Sequence, residues 1–206
     1  MTGEVMEEIR DYLGRYVRGL RAVVKHLAAP LAVRREAQER HAAGRMNNPI
    51  RSVLFLCKGN ICRSPFAAEY FRLNAEKRGV SMEVRSAGLE TTPGKPAHQY
   101  ARLVAKQQGV SLEAHVTSLL GARWIEDADI IIVMELAQKD RVASLYPKVR
   151  DKVVLLGAVS PDCPLEIDDP YSGTIEDFQV CFGHIRKGCE ALVARIEQNR
   201  RTDHAS

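Results

Sequence analysis

The segment with the clearest chemistry covers residues 57–65 and combines a thiol with a guanidinium. A thiolate can act as a nucleophile, and the planar N–H fork of arginine matches the oxygens of a phosphate group. Gly59 and Asn60 are residue types that tolerate the positive φ angles of a tight anion-binding loop. The pattern therefore predicts a nucleophile, Cys57, close to a phosphate-binding arginine, Arg63. The segment reads Cys57-Lys58-Gly59-Asn60-Ile61-Cys62-Arg63-Ser64-Pro65.

The elements on either side place this segment where α/β proteins bind ligands. The apolar run 53–56 predicts a buried strand, and residues 65–78 predict a helix with Ser64 as its N-cap and Pro65 as its first residue. Backbone N–H groups at the start of a helix converge on anions, and the helix dipole adds to the attraction. The same positive field favours the thiolate form of Cys57.

Two other chemistries fit the segment poorly. It lacks the Gly-Lys-Ser/Thr ending of a nucleotide-binding P-loop. Cys57 and Cys62 have no second Cys or His pair at zinc-finger spacing, so a zinc site fits them poorly. A cysteine and an arginine at this distance are a weak signal by themselves. The complete segment at a strand–helix junction is what indicates phosphate chemistry.

The rest of the chain alternates between strands and helices. Apolar runs predict further strands at 82–86, 129–134 and 153–156, and helical periodicity predicts helices at 97–108, 137–146 and 174–199. Strands that alternate with helices indicate a parallel sheet covered on both faces, with right-handed connections. The sequence therefore predicts a three-layer α/β fold.

Composition excludes several classes of protein. The chain has 206 residues, 45% hydrophobic and 27% charged, which is ordinary for a globular domain with an appendage. No apolar run is long enough to span a membrane. Five cysteines in a chain of this size argue against a disulfide scaffold and for a reducing cytoplasm. A net charge of +4 is too small to indicate nucleic acid.

The first 48 residues form a separate region in this interpretation. Apolar residues between 4 and 27 recur every three or four positions, and arginines occupy much of the remaining surface. We predict a basic, amphipathic helical extension at 1–48, a catalytic domain at 49–200 and a tail at 201–206. The preferred role of the extension is packing against protein. Contact of residues 4–27 with an anionic membrane surface, or a true start at Met46, are the alternatives.

The sequence resembles the low-molecular-weight protein tyrosine phosphatase family over residues 51 to about 198. The resemblance rests on the segment 57–65 together with motifs spread over the chain, which are Ser86-Ala87-Gly88, His115, Ala128-Asp129 and Asp169-Pro170-Tyr171. It implies a four-stranded parallel sheet of order 2-1-3-4, with the phosphate-binding loop after strand 1. It also implies a metal-free enzyme without a cofactor.

The resemblance further implies a two-step phosphoryl transfer. Cys57 would attack phosphorus and form a cysteinyl-phosphate, while Arg63 and the loop amides hold the phosphoryl oxygens. Ser64 would help the sulfur to leave in the second step. Asp169 would protonate the departing phenolate and later deprotonate water. Asp168 is a competitor for this role, but the family's Asp-Pro-aromatic pattern selects Asp169.

Other positions follow from the same resemblance. Cys62 would be able to form a reversible disulfide with Cys57, with a simple packing role as the alternative. The segment 89–93 lacks the aromatic residue that forms one wall of the aryl slot in many relatives, so Tyr171 is the remaining wall. Substrate contacts are expected from Lys58, Gly59, Asn60, Ile61, Cys62, Ser64 and Tyr171. A polar network of Asn60, Ser64, Ser86 and His115 would support the loop.

The predicted function is hydrolysis of phosphotyrosine in a phosphorylated protein, with a tyrosine kinase as one candidate substrate. A protein-arginine phosphatase is an alternative, although its loop carries Thr where this chain has Ile61. Arsenate reductases of the same fold use further cysteines after the third strand, and residues 128–146 contain none. A non-catalytic phosphate-binding module is the remaining alternative, which the intact set of Cys57, Arg63 and Asp169 disfavours.

Overall fold

A computed structural model describes residues 36, 37, 39, 40, 43 and 50–203. The amphipathic pattern predicted at 4–27, the alternative start at Met46 and the end of the predicted tail lie outside the described residues. The chain divides into two compact units, Met1–Gln38 and Glu39–Ser206.

The sheet has four parallel strands in the order β2-β1-β3-β4. Its strands are β1 (Ser52–Cys57), β2 (Glu83–Gly88), β3 (Ile130–Val133) and β4 (Val153–Leu155). Every residue of β3 and β4 is buried, as their unbroken apolar runs require in a sheet covered on both faces. The predicted fold class and strand order are confirmed.

Five helices surround this sheet within residues 50–203. They are α1 (Arg63–Lys77), α2 (Gln99–Gln107), α3 (Ala122–Asp127), α4 (Leu136–Leu145) and α5 (Ile175–Asp203). Two 3₁₀ segments, Pro147–Lys152 and Leu156–Ala158, flank β4. The short helix α3 was not predicted, because six residues hold too few turns to show a periodic pattern.

Two predicted boundaries at the ligand-binding edge of the sheet are wrong. Helix α1 begins at Arg63 with Cys62 as N-cap, so Ser64 is not the cap. The Ser64 hydroxyl lies 3.0 Å from Cys57 Sγ instead. Strand β2 continues two residues beyond the predicted end at Ser86, because Gly88 still pairs with Cys57 of β1.

The core on the α1 and α5 side of β1 is aromatic. Phe66 and Phe182 are fully buried and stack with ring centroids 3.8 Å apart. Phe71 packs against Phe55 of β1 with centroids 5.3 Å apart. Buried aromatic pairs add to the hydrophobic stabilisation of the helix–sheet interface. This layer holds α1 and the loop before it against the sheet.

Three residues that the sequence assigned to the extension pack against the domain that contains the sheet. Ala43 is fully buried, and its carbonyl oxygen accepts a hydrogen bond of 2.6 Å from Arg195 Nη1 in α5. Glu39 forms an ion pair with Lys139 of α4, and Arg40 also contacts this domain. Helix α5 itself reaches Asp203. The division at 48 and 200 stays a prediction.

Among the residues that the structure describes, no helix combines the length and apolar character needed to cross a bilayer.

Candidate active site

The loop between β1 and α1, residues 57–63, is built around the Cys57 sulfur. Cys57 is 2% exposed at the carboxyl end of β1. Its Sγ lies 3.0 Å from Ser64 Oγ and accepts a hydrogen bond of 3.2 Å from the backbone N–H of Asn60. A side-chain hydroxyl and a backbone N–H therefore hold the sulfur in place at the end of β1.

Asn60 joins the loop to the rest of the site. Its φ is +53°, a left-handed conformation that asparagine tolerates better than most residues. Asn60 Nδ2 donates to Ser64 Oγ at 2.9 Å and to Ser86 Oγ at 3.0 Å. Asn60 Oδ1 accepts from the Ser118 N–H at 2.9 Å, and His115 Nε2 lies 2.8 Å from the Asn60 carbonyl oxygen. The structure thus brings together all four residues of the predicted network.

Arg63 is the most buried charge at the site, with 1% of its surface exposed. Its Nη2 lies 2.6 Å from Asp169 Oδ2, and its Nη1 pairs with Glu135. Burial opposes its charge, but Cys57, Asp169 and Glu135 outweigh burial and raise the pKa of the guanidinium. Arg63 Nε is buried and has no hydrogen-bond partner among the described residues. This free donor suits an oxyanion bound in the loop.

A cavity of about 210 Å³ opens above the loop. Asp169 belongs to its wall, whereas its neighbour Asp168 is absent from the residues lining this cavity. The backbone N–H of Tyr171 donates to Asp169 Oδ1 at 3.3 Å, which turns the carboxyl group back toward the loop. The lining residues are Cys57, Lys58, Gly59, Ile61, Cys62, Arg63, Glu90, Asp169 and Tyr171.

The walls of the cavity differ in character. Tyr171 is 57% exposed and meets the edge of the His98 ring, with centroids 5.6 Å apart. His98 in turn stacks on Phe178 at 5.0 Å, and burial lowers the pKa of its imidazole. On the other side, Glu90 occupies the segment without an aromatic residue and forms an ion pair with Arg141. One wall is therefore aromatic and the other is charged.

Sequence reasoning missed Glu135, which pairs with the buried Arg63. Glu135 follows β3, and its Oε1 accepts a hydrogen bond of 3.0 Å from Gln138 Nε2. Gln138 Oε1 accepts from the Met134 N–H at 2.9 Å, which fixes the amide. The position of Glu135 just after a strand could have indicated its role, because polar residues that follow parallel strands gather at the ligand-binding edge of the sheet.

The other cysteines differ from Cys57 in environment. All five cysteines of the chain are free thiols. Burial, with further contributions from Asp169 and Cys57, raises the pKa of the Cys62 thiol far above its usual range. Burial also raises the pKa of Cys181 to about 12. Both groups are therefore neutral thiols at physiological pH. The predicted regulatory disulfide between Cys57 and Cys62 stays a prediction.

Comparison with known proteins places these observations in a family. The family described as low molecular weight phosphotyrosine protein phosphatase matches residues 52–202, which include the loop, Asp169 and the whole sheet. The chain belongs to this family. Its membership and its enzyme class, a protein-tyrosine-phosphatase, agree with the predictions from sequence.

Individual relatives cover the same part of the chain. A protein-arginine-phosphatase of Bacillus subtilis is 30% identical over 149 residues, covering 72% of this chain and 99% of the relative. A probable low molecular weight protein-tyrosine-phosphatase of Ralstonia nicotianae, EpsP, is 35% identical over 147 residues, covering 71% and 97%. The crystal structure of the Erwinia amylovora tyrosine phosphatase AmsI aligns with a TM-score of 0.66 at 34% identity, covering 71% and 93%.

Proposed function

We propose that the chain hydrolyses phosphotyrosine in proteins through a cysteinyl-phosphate on Cys57. One observation carries the proposal. The Cys57 sulfur, the buried Arg63 and the carboxyl group of Asp169 line a single cavity, with Asp169 Oδ2 2.6 Å from Arg63 Nη2. Nucleophile, phosphate-binding cation and acid are therefore within reach of one phosphoryl group.

In the first step, the Cys57 thiolate attacks phosphorus as the bond from phosphorus to the phenolic oxygen breaks. The Asp169 carboxyl group gives its proton to the leaving oxygen, so tyrosine departs as a neutral phenol. Arg63 and the loop N–H groups bind the three remaining phosphoryl oxygens, where negative charge is spread in the transition state. The unpartnered Arg63 Nε is one of these donors.

In the second step, water attacks the phosphorus atom of the cysteinyl-phosphate and the S–P bond breaks. The Asp169 carboxylate now accepts a proton from the water. The Ser64 hydroxyl, 3.0 Å from the sulfur, donates to the departing thiolate. Inorganic phosphate leaves, and Cys57 returns to its starting state.

Tyrosine is the favoured substrate because of the walls of the cavity. Tyr171 offers a ring for edge or offset contact with a substrate phenol, worth about 0.5–1.5 kcal/mol. Ile61 is a branched side chain lying 3.4 Å from the position of a Cβ on Gly59, and it narrows the entrance over the loop. Phosphoserine reaches the sulfur less well and has a poorer leaving group. A cytoplasmic location and a tyrosine kinase as the physiological substrate belong to the same proposal, supported by the free thiols and by the family.

Replacing the nucleophile tests the mechanism. Cys57→Ser should abolish hydrolysis of p-nitrophenyl phosphate and retain the fold, since a serine hydroxyl is not ionised at neutral pH. Cys189→Ser is the matched control, because Cys189 is buried outside the cavity and its thiol donates to the Ala67 carbonyl oxygen at 3.7 Å. The control should keep its activity. Turnover by the Cys57→Ser protein would contradict the mechanism.

Substrate class is tested on one preparation with phosphotyrosine, phosphoserine and phosphoarginine peptides. We expect the largest kcat/KM for phosphotyrosine, with a high KM because a single aromatic wall contacts the ring. Ile61→Thr should improve hydrolysis of phosphoarginine by widening the entrance. A larger kcat/KM for phosphoarginine than for phosphotyrosine in the unaltered protein would contradict the assignment to phosphotyrosine. It would favour arginine phosphatase activity instead, for which the Bacillus subtilis relative is named.

A further inference from the structure

An arginine outside the range of the family match binds the start of the loop that carries Asp169. Arg40 precedes residues 52–202, over which the family matches. Its Nη1 donates to the carbonyl oxygens of Gly157 and Ser160 at 3.2 and 2.7 Å. Its Nη2 donates to the Cys163 carbonyl oxygen at 3.0 Å. One guanidinium thus holds together three carbonyl groups of residues 157–163.

Arg40 is itself held in place by its neighbours. Glu39 pairs with Lys139 of α4, and both side chains are less than 20% exposed, at 14% and 17%. Ala43 is fully buried and its carbonyl oxygen accepts from Arg195 Nη1 at 2.6 Å. Arg195 Nη2 also donates to the Val159 carbonyl oxygen at 3.3 Å, within the stretch that Arg40 binds. Arg40 and Ala43 are therefore both connected to the stretch 157–163, Arg40 directly and Ala43 through Arg195.

This stretch is in direct contact with the part of the chain that leads to Asp169. A Cβ added to Gly157 would lie 2.0 Å from the Pro164 carbonyl oxygen and 2.5 Å from that of Leu165. The returning limb, residues 164–169, consequently packs against the backbone that Arg40 binds. Asp169 follows Leu165 by four residues. A shift of residues 157–163 would be passed to the carboxyl group through this contact.

We infer that Arg40 is a positioning residue for the general acid. By holding the carbonyl groups of residues 157–163, it sets the position of the limb that carries Asp169. A guanidinium suits this task because it stays charged and presents a rigid set of donors to several acceptors. The inference rests on the proposed role of Asp169 and extends it to a residue before the matched range.

The size of the effect follows from the other contacts of the limb. Misplacing a reacting group by 1 Å costs on the order of 10²-fold in rate. Ile167 has anchors of its own, since its N–H donates to the Met134 carbonyl oxygen at 2.9 Å and its carbonyl oxygen accepts from Arg63 at 3.0 Å. These bonds limit the movement of Asp169. Loss of Arg40 should therefore cost roughly tenfold where the acid is needed, below the full 10²–10⁴-fold contribution of a general acid.

The test compares two aryl phosphates that differ in their need for a proton. In the full chain, kcat/KM is measured for phenyl phosphate, whose leaving group needs the acid, and for dinitrophenyl phosphate, whose leaving group does not. Arg40→Ala should lose roughly tenfold on phenyl phosphate and less than about twofold on dinitrophenyl phosphate. Arg40→Lys should show a smaller loss with the same selectivity, and it serves if the alanine variant fails to fold. Arg78→Ala, which removes an exposed arginine paired with Glu197, should change neither value.

Asp169→Asn separates the inference from the function on which it rests. This variant alone should lose much more on phenyl phosphate than on dinitrophenyl phosphate, and Asp168→Asn should not. Adding Arg40→Ala to Asp169→Asn should cause no further selective loss, because the acid is already absent. Equal losses on both substrates in the Arg40 variants would overturn the positioning role while leaving Asp169 as the acid. An Asp169→Asn protein without selectivity would overturn the acid assignment itself.

Discussion

Replacing Asn60 should show how far one side chain supports the whole phosphate-binding loop. Its amide makes three side-chain hydrogen bonds, with Ser64, Ser86 and the Ser118 N–H, at 2.9 to 3.0 Å. Each bond contributes about 0.5–1.5 kcal/mol, and an alanine at a φ of +53° costs about a further 1–2 kcal/mol. Asn60→Ala should therefore lower the free energy of unfolding by about 2.5–6.5 kcal/mol.

The loop geometry should be lost together with stability. Without the amide, the backbone N–H groups no longer converge on the phosphoryl oxygens, and one misplaced donor costs about 10²–10³-fold in rate. We expect a loss of that order in kcat/KM for p-nitrophenyl phosphate. Asn60→Gly tests the backbone contribution, because glycine accepts the positive φ and should recover part of the lost stability.

Urea unfolding and steady-state kinetics on the same preparations provide the measurement. Ser86→Ala removes one of the three bonds and should cost about 1 kcal/mol. Asn74→Ala on α1 is the control, because the Asn74 side chain accepts a single exposed hydrogen bond from Arg78, and its effect should stay within about 0.5 kcal/mol. If Asn60→Ala matched this control in both stability and kcat/KM, the loop would not depend on the network.

Three further outcomes follow from the structure. Gly157→Ala should lower the free energy of unfolding in urea by about 1–3 kcal/mol or more, because its Cβ would meet a backbone carbonyl oxygen at 2.0 Å. Gly183→Ala in α5 has open space around its Cβ and should stabilise the protein or change its stability little; equal effects of the two substitutions would refute the steric argument. Iodoacetamide should label Cys57 and leave Cys62 unmodified near neutral pH, since burial raises the pKa of the Cys62 thiol. Labelling of Cys62 before Cys57, detected by mass spectrometry, would contradict this prediction. Burial opposes ionisation of Asp129, but hydrogen bonds from two backbone N–H groups outweigh burial and lower the pKa of its carboxyl group. Asp129→Asn should therefore lower the free energy of unfolding by about 1 kcal/mol at neutral pH, and this loss should shrink as the pH falls below about 4. A loss of stability that is independent of pH would refute the role of the ionised carboxylate.

Local patterns in the sequence were sufficient to predict the order of strands and helices. Strands β1 and β3 are unbroken apolar runs, and the helices between them have ordinary stops such as Gly79, with a φ of +69°. The loop from Cys57 to Arg63 could be assigned because its residue types and its place between strand and helix point to the same chemistry. The helix start was wrong by two residues because Ser64, a good N-cap by type, is held by Cys57 and Asn60.

Only the tertiary structure shows the contacts between residues that are far apart in the chain. Glu135 pairs with Arg63 across 72 positions, and Arg40 binds Cys163 across 123. Glu90 lines the cavity because the end of β2 lies beside the loop. A charged side chain looks the same in sequence whether it faces water or a buried partner, since periodicity records only which face of an element is apolar. The partner is set by how strands are ordered and how loops return, and these depend on packing of the whole domain.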